Sequence, residues 1–354
     1  MEDRLDLGLL REQIDTALED YLSAKAQQAK AHRLPPTPLE VVRDFVFAGG
    51  KRIRPLMCAL GWYAAHGQGE TAPVIRAAAS LELFHAFALI HDDIMDRSDT
   101  RRGHPTVHRT LAARHRHRHR SDSDKFGTHA AILLGDFALA CSLEMLHGAG
   151  LSSAQLTAAL PIVDAMRTAV LYGQYMDLDT APELTDDLER ALAVIRYKTA
   201  KYTVEHPLHL GAALASAGAA VQAVLSAYAL PLGDAFQLRD DLLGVFGDPE
   251  VTGKPALDDL REGKRTVLLA LALRHSDSGQ AGTLRRLVGD PALDEEQADT
   301  VRALLTATGA RAQVETLIDD QKHAALQALD GAPLSPSALH ALREVARTLT
   351  ERTR

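Results

Sequence analysis

The apolar residues of this chain recur at helical spacing from its first segment to its last, and nowhere do they alternate. Leu10, Ile14, Ala17, Tyr21 and Leu22 fall on one face of a first helix. Val314, Leu317, Ile318, Ala325 and Leu329 do the same near the other end, as do Leu339, Leu342, Val345, Ala346 and Leu349. Alternating β-branched runs bounded by turn residues are missing, so no strand is expected. Breaks fall at Pro35–Pro36, Gly49–Gly50, Gly67 to Pro73, Gly148 to Ser153, Gly247 to Gly263, Ser276 to Gly282 and Gly331 to Pro336. They leave room for ten or more helices joined by mostly short loops, with no repeat of solenoid period. The expected architecture is a single all-α domain over residues 1–354, a bundle of ten or more helices.

Composition removes several classes of function. A net charge of -8 argues against general nucleic-acid binding, which needs a surplus of Lys and Arg. Two cysteines, Cys58 and Cys141, make no disulfide framework and fit a reducing compartment. The acidic N-terminal stretch has no apolar core of a signal peptide, so a cytoplasmic location is expected. From His206 to Gly233 there is no Asp, Glu, Lys or Arg, a span long enough to cross a bilayer. It is rich in Ala, Ser and Gly and contains Pro207, Gln222 and Pro231, so a small-residue helix buried in the bundle is expected rather than a membrane span. The stretch RHRHRHR from Arg114 to Arg120 opens an insert over 114–127. It reads as a solvated loop, because Arg beside each His opposes a bound cation.

Asp-Asp pairs are common in an acidic chain, and Asp186–Asp187, Asp258–Asp259 and Asp319–Asp320 read as surface acids or caps. Two other pairs end apolar helical runs, where a desolvated carboxylate is costly unless something cationic compensates it. In the first, Asp92-Asp93-Ile94-Met95-Asp96, the outer acids are spaced i,i+4 and share a helix face. Such carboxylates repel unless a divalent cation lies between them, and hard oxygen donors favour Mg2+. The second pair is Asp240–Asp241. Basic clusters surround both: Gly49-Gly50-Lys51-Arg52-Ile53-Arg54-Pro55, Arg101–Arg102, Lys198 ahead of Thr199 at an expected helix end, Lys254, and Lys264–Arg265. Acids and bases together around two apolar helices describe a polyanion held by Mg2+ bridges and by direct Arg and Lys contacts.

In these motifs the chain resembles the trans-isoprenyl diphosphate synthases, the polyprenyl synthetase family. GGKRIRP, DDIMDRSDTRRG, GQYMDL at Gly173 to Leu178, YKT at Tyr197 to Thr199, QLRDDLLGVFGD and TGKPALDDLREGKRT run in family order from Gly49 to Thr266. The resemblance implies a bundle around a central apolar cavity, head-to-tail condensation of isopentenyl diphosphate with an allylic diphosphate, and a homodimer. By motif position, Asp92, Asp96 and Asp240 would hold three Mg2+ ions against the allylic diphosphate, supported by Asp93 and Asp241. Arg101, Lys198, Lys254 and Lys264 would contact that diphosphate, with Thr199 and Gln237 beside the reacting carbon. Lys51, Arg54, His85 and Arg102 would bind the diphosphate of isopentenyl diphosphate.

In the family a bulky side chain ahead of the first acid motif floors the product tunnel. Phe87, five residues before Asp92, and Phe84, eight before, are the candidates, with small Ala88 between Phe87 and the motif. One helical turn rises roughly 5.4 Å, comparable to an isoprene unit, so the floor's position sets chain length. The pattern resembles geranylgeranyl diphosphate synthases, with farnesyl diphosphate, or a longer-chain diphosphate, as the alternative product. A terpene cyclase of the same fold would not need GGKRIRP, and a non-catalytic partner subunit usually loses one acid motif. The second motif departs from the family pattern at Gly244, where a third Asp is usual.

Overall fold

The computed structural model describes residues 4–116, 122–179, 184–247 and 257–351. The chain runs through α1 (Leu7–Ala31), α2 (Thr37–Phe47), α3 (Ile53–Ala64), α4 (Ala72–Met95), α5 (Val107–Arg116), α6 (Ser123–His147) and α7 (Ser153–Leu178). Next, α8 (Leu188–Val194) passes without a break into a π-helical stretch (Ile195–Glu205) and on into α9 (His206–Leu214). Then follow α10 (Ala219–Phe246), α11 (Asp258–Glu262), α12 (Val267–His275), α13 (Ser278–Leu287), α14 (Glu295–Ala307), α15 (Ala310–Gln327) and α16 (Pro336–Thr350).

Local chemistry sets many of these boundaries. The Asp6 carboxylate accepts from the Gly8 and Leu9 amides at 2.8 and 3.0 Å and starts α1. Reciprocal side-chain and backbone caps open α7 (Ser152 with Gln155), α13 (Asp277 with Gln280) and α14 (Asp294 with Gln297). Asp187 caps α8, as expected of a paired surface acid.

Several expectations need correction. Of the insert expected as a solvated loop over 114–127, residues 114–116 belong to α5 and 123–127 to α6, while 117–121 lie outside the described residues. Asp240 and Asp241 do not end their helix, because α10 runs on to Phe246. A short hairpin pairs Thr100–Arg101 with His104–Pro105. Its turn residues Arg102 and Gly103 have φ of 54° and 76°, the geometry of a tight hairpin, and two-residue strands are too short for alternation to register. The uncharged span 206–233 is not one helix, because Ser216 at φ 61° ends α9 before α10 begins. Lys198 and Thr199 do not end a helix but lie inside the π-helical stretch. Of the break placed at Ser276 to Gly282, only Ser276 and Asp277 separate α12 from α13.

Two apolar clusters organise the packing. One gathers α1–α4, α6, α7, α9, α16 and the first half of α10; the other gathers α11–α15 and the second half of α10. α4 is apolar nearly all round and is the buried centre of the first, packed on α1, α3 and α6. α10 joins the two, and packs on the π-helical stretch and α15. By length and composition α4, α6 and α10 would each suffice to cross a bilayer, and most of α4's apolar window is buried inside the bundle.

The α3–α9 contact is close enough to test. A Cβ on Gly211 would stand 1.8 Å from the Cys58 carbonyl oxygen and 2.7 Å from the Trp62 amide nitrogen. Gly211→Ala is expected to cost about 1–3 kcal/mol through overpacking. Gly282, inside α13 with open space around it, should gain about 0.5–1 kcal/mol as Ala. Thermal melting of the two variants checks both signs.

Candidate active site

The site lies where the two clusters meet, at the C-terminal end of α4, the middle of the π-helical stretch and the second half of α10. Asp92 and Asp96 stand one turn apart at the end of α4. The hairpin that follows folds Arg101 back on them: its Nε donates to Asp93 Oδ1 at 2.7 Å and a terminal nitrogen reaches Asp92 Oδ2 at 3.2 Å. Asp93 is fully buried, so this pairing is what makes its charge tolerable. Across the site Lys198 Nζ donates to Asp92 Oδ1 at 3.2 Å and to Asp177 Oδ2 on α7 at 2.6 Å.

The backbone fixes how far Lys198 reaches. Gly173 on α7 and Gly233 on α10 clamp the π-helical stretch from two sides. A Cβ on Gly173 would lie 2.4 Å from the Lys198 nitrogen, and one on Gly233 would lie 2.4 Å from Ala200 Cα. Eleven residues of π-helix is unusual, since such geometry is mostly confined to single turns, often at functional sites.

The second wall is built on α10. Gln237 Nε2 donates to Asp241 Oδ1 at 2.8 Å, and Thr199 Oγ1 donates to Gln237 Oε1 at 2.7 Å. A carboxylate only accepts, so Asp241 turns the amide nitrogen toward itself and the amide oxygen toward Thr199. Asp240 precedes it on the same helix and adds to the negative field around Asp241. Lys264 Nζ pairs with Asp259 Oδ1 at 2.9 Å and with Glu262 Oε2 at 3.0 Å. Ser98 Oγ donates to Glu262 Oε1 at 2.9 Å and ties the hairpin of the first wall to α11.

A different zone adjoins this one. Arg52 is buried and paired with Asp15 at 2.6 Å and Glu82 at 3.0 Å. Gly50 admits two guanidinium groups, since a Cβ there would lie 3.1 Å from both Arg52 and Arg102. Arg102 also donates to the Gly49 carbonyl. Arg54 lies 4.2 Å over the Tyr202 ring and donates to Thr203 Oγ1 at 2.8 Å. His85 shares a 3.1 Å hydrogen bond with the Tyr202 hydroxyl, and burial and then the surrounding arginines hold its pKa well below the ordinary histidine value. Lys51, next to Arg52 in the chain, is exposed.

The two zones ask for different anions. Around α4 and α10 the acids outnumber the cations among the described residues, so a diphosphate there needs metal bridges. Around His85 the balance is reversed: Arg52 takes up Asp15 and Glu82, and Lys51, Arg54 and Arg102 are further cations, so a diphosphate there needs no metal bridge. Burial, and then Asp92, pushes Asp96 up to about 7. Burial, and then Asp259 and Asp240, pushes Asp241 up to about 7. Burial alone would raise Asp92 as well, but Lys198, Arg101 and Lys264 outweigh it and hold its pKa low. An all-oxygen donor set under such mutual repulsion fits Mg2+. Among the described residues no three metal-ligating side chains converge, so substrate oxygens or water must complete any ion's shell.

Most of the residues singled out from sequence are thus drawn into one region. Lys254 lies outside the described residues. The structure adds Asp177, Tyr202, Asp259 and Glu262 to the residues read from sequence. Asp177 sits in the GQYMDL motif and Tyr202 stands four residues after Lys198, so spacing held a signal for both. Asp259 corrects the reading of its pair as surface acids, because its side chain is only 17% exposed and is paired with Lys264.

The polyprenyl synthetase family model matches residues 36–305. A geranylfarnesyl diphosphate synthase of Aeropyrum pernix is 33% identical over 300 residues, 84% of this chain and 85% of that protein. A geranylgeranyl diphosphate synthase of Saccharolobus solfataricus is 34% identical over 260 residues, 73% of each chain. Among solved structures, a geranylgeranyl pyrophosphate synthase from Corynebacterium glutamicum, in complex with isoprenyl diphosphate and magnesium, superposes with a TM-score of 0.94. It is 42% identical, with 98% of this chain and 100% of that chain covered.

The raised acids predict a pH dependence. Asp96 and Asp241 have folded pKa values above their unfolded ones, so the stability they contribute is present below about pH 4 and lost as pH rises through about 7. A bound divalent cation reverses this by competing with the protons. Apparent Mg2+ affinity in the presence of diphosphate should therefore weaken below pH 7, by up to about tenfold per pH unit for each proton displaced, and level off above it. Mg2+-dependent shifts in melting temperature at about pH 6 and about pH 8 check the sign.

Proposed function

The chain belongs to the polyprenyl synthetase family, and from that premise we propose how its residues share one reaction. It is a trans-prenyltransferase that joins isopentenyl diphosphate to an allylic diphosphate and releases diphosphate, with a divalent metal ion as cofactor. The observation that carries the assignment of residues is the division into two zones. The acid zone with interleaved cations receives the allylic diphosphate; the zone around neutral His85, where Lys51, Arg54 and Arg102 stand beside an Arg52 already paired with Asp15 and Glu82, receives isopentenyl diphosphate.

Asp92, Asp96 and Asp240 would hold the metal ions, three Mg2+ per site, with Asp93 and Asp241 behind them. When bound, the ions supply Lewis-acid neutralisation of the departing diphosphate. Arg101 and Lys198 reach the same anion by releasing their hold on Asp92, and Lys264 by releasing Asp259. Lys254 belongs with them by its place in the sequence. Preplaced cations act most strongly where charge develops, on the oxygen that leaves the allylic carbon. Lys51, Arg54 and Arg102 bind the second diphosphate, and His85 with Tyr202 closes its inner side.

As the allylic carbon–oxygen bond breaks, its electron pair leaves with diphosphate. The double bond of isopentenyl diphosphate attacks the carbon, and the resulting cation loses a proton to the released diphosphate. Thr199 and Gln237 face the cation with neutral oxygens, which stabilise it without trapping it. The Asp241–Gln237–Thr199 chain keeps them so oriented. Apolar walls exclude the water that would quench it.

Geranylgeranyl diphosphate is the product we favour, and farnesyl diphosphate the alternative. Phe87 and Phe84 are both buried ahead of Asp92, their ring centroids 5.3 Å apart, and Ala88 leaves the next position small. The relatives differ in product, so descent does not set the length. A homodimer is supported by the apolar side chains that α6 exposes, Ile132 at 41% and Leu133 at 67%. One catalytic domain is supported by α10, shared by both clusters. Free, buried Cys58 and Cys141 are in keeping with a cytoplasmic setting.

A Mg2+-dependent assay with labelled isopentenyl diphosphate and allylic primers of increasing length tests the reading. Asp92→Ala should lower turnover by about a thousandfold or more with the helical fold intact by circular dichroism; full activity in that variant would sink the metal-holding role. Phe87→Ala should yield a longer product, read by chromatography. An unchanged product length would remove Phe87 as the floor.

A further inference from the structure

The two acid walls follow one pattern with one exception. On α4 the carboxylates stand at i, i+1 and i+4: Asp92, Asp93 and Asp96. On α10 Asp240 and Asp241 begin the same pattern, but i+4 is Gly244. The space its side chain would enter is filled. A Cβ on Gly244 would stand 1.8 Å from Asp259 Oδ2, 2.8 Å from its Cγ and 3.5 Å from its Cβ. The carboxylate of Asp259, arriving from α11, thus lies where a residue at 244 would begin its own side chain.

From this substitution in space we infer that Asp259 is the third carboxylate of the second wall, delivered from a separate element, and that Gly244 is glycine to admit it. The inference rests on the reading of the site given above. Its Oδ1 holds Lys264 at 2.9 Å, so Asp259 positions a cation meant for the allylic diphosphate. Its charge also joins that of Asp240 beside Asp241 and strengthens the field that draws a divalent ion to α10. Glu262, next on the same short helix, adds the link through Ser98 to the first wall. Asp259 therefore acts as a positioning residue for both Lys264 and the ion at Asp240.

The pattern makes a reciprocal prediction. Asp259→Asn should raise the Mg2+ concentration needed for half-maximal stabilisation by inorganic diphosphate about 10–100-fold, the range for groups supporting metal ligands. Gly244→Asp alone should also weaken Mg2+ binding, because the new side chain displaces Asp259. Gly244→Asp combined with Asp259→Gly returns one carboxylate to the shared space, and should recover the Mg2+ midpoint to within a few-fold of the unaltered protein. The readout is melting temperature against Mg2+ with inorganic diphosphate, backed by Mn2+ binding followed by electron paramagnetic resonance. A purely structural Asp259 would lower melting temperature in Asp259→Asn and leave the midpoint unmoved; that result overturns the inference. So does a folded double variant no better than its parents. If the double variant does not fold, the Asp259→Asn midpoint decides alone. These titrations need no turnover, so an unaltered protein without prenyl transfer would fail the reading of function and not this one.

Discussion

One ammonium group, that of Lys198, lies between carboxylates from two different helices, Asp92 at 3.2 Å and Asp177 at 2.6 Å. It is largely removed from water. Burial would strip its proton, but the two carboxylates outweigh that and hold its pKa above the ordinary lysine value. Through it α4, α7 and the π-helical stretch are locked into one arrangement. Arg101 repeats the device on the other side of Asp92, and Lys264 repeats it against Asp259 and Glu262. Asp92, which we propose to face a metal ion, is thus kept compensated by two cations that we propose to face a phosphate, whereas burial and Asp92 itself leave Asp96 raised to about 7. In the proposed reaction a metal diphosphate would replace these partners, each group exchanging one counter-charge for another.

That exchange explains why the site sits at the meeting of two apolar clusters rather than inside either. A desolvated carboxylate is tolerated only beside a cation, and such pairs stabilise a fold less than apolar packing does. The clusters supply the stability, while the junction holds the charge. α10 belongs to both, so the spacing between the Asp92 wall and the Asp240 wall is set by rigid helix packing. In the cationic zone the buried Arg52–Glu82 pair has the same purpose. It anchors the loop between α2 and α3, beside which Lys51 and Arg54 follow in sequence.

Much of the site was legible in the sequence, and the misses have a common cause. The i,i+4 spacing of Asp92 and Asp96 is a statement about one helix, and it held. The cationic run from Gly49 to Pro55 is likewise local, and the backbone freedom of Gly49 and Gly50 at φ 102° and 136° suits it. Asp259 was misjudged because its meaning depends on Gly244, fifteen positions away, and a surface pair and a buried pair are spelled alike. Lys198 was set at a helix end because the π-helical stretch has no period that propensity reveals. Its backbone is held by contact with Gly173 and Gly233.

By itself the sequence determined that the chain is helical, which faces are apolar and which two apolar helices carry the acid pairs. These follow from period and the cost of burying charge, both of which act over a few residues. Only the tertiary structure decided which cation meets which acid, that Lys198 bridges α4 and α7, and that Asp259 fills the place left by Gly244. Those pairings join elements far apart in the chain, and close packing of backbone against backbone, not local preference, fixes the distances between them.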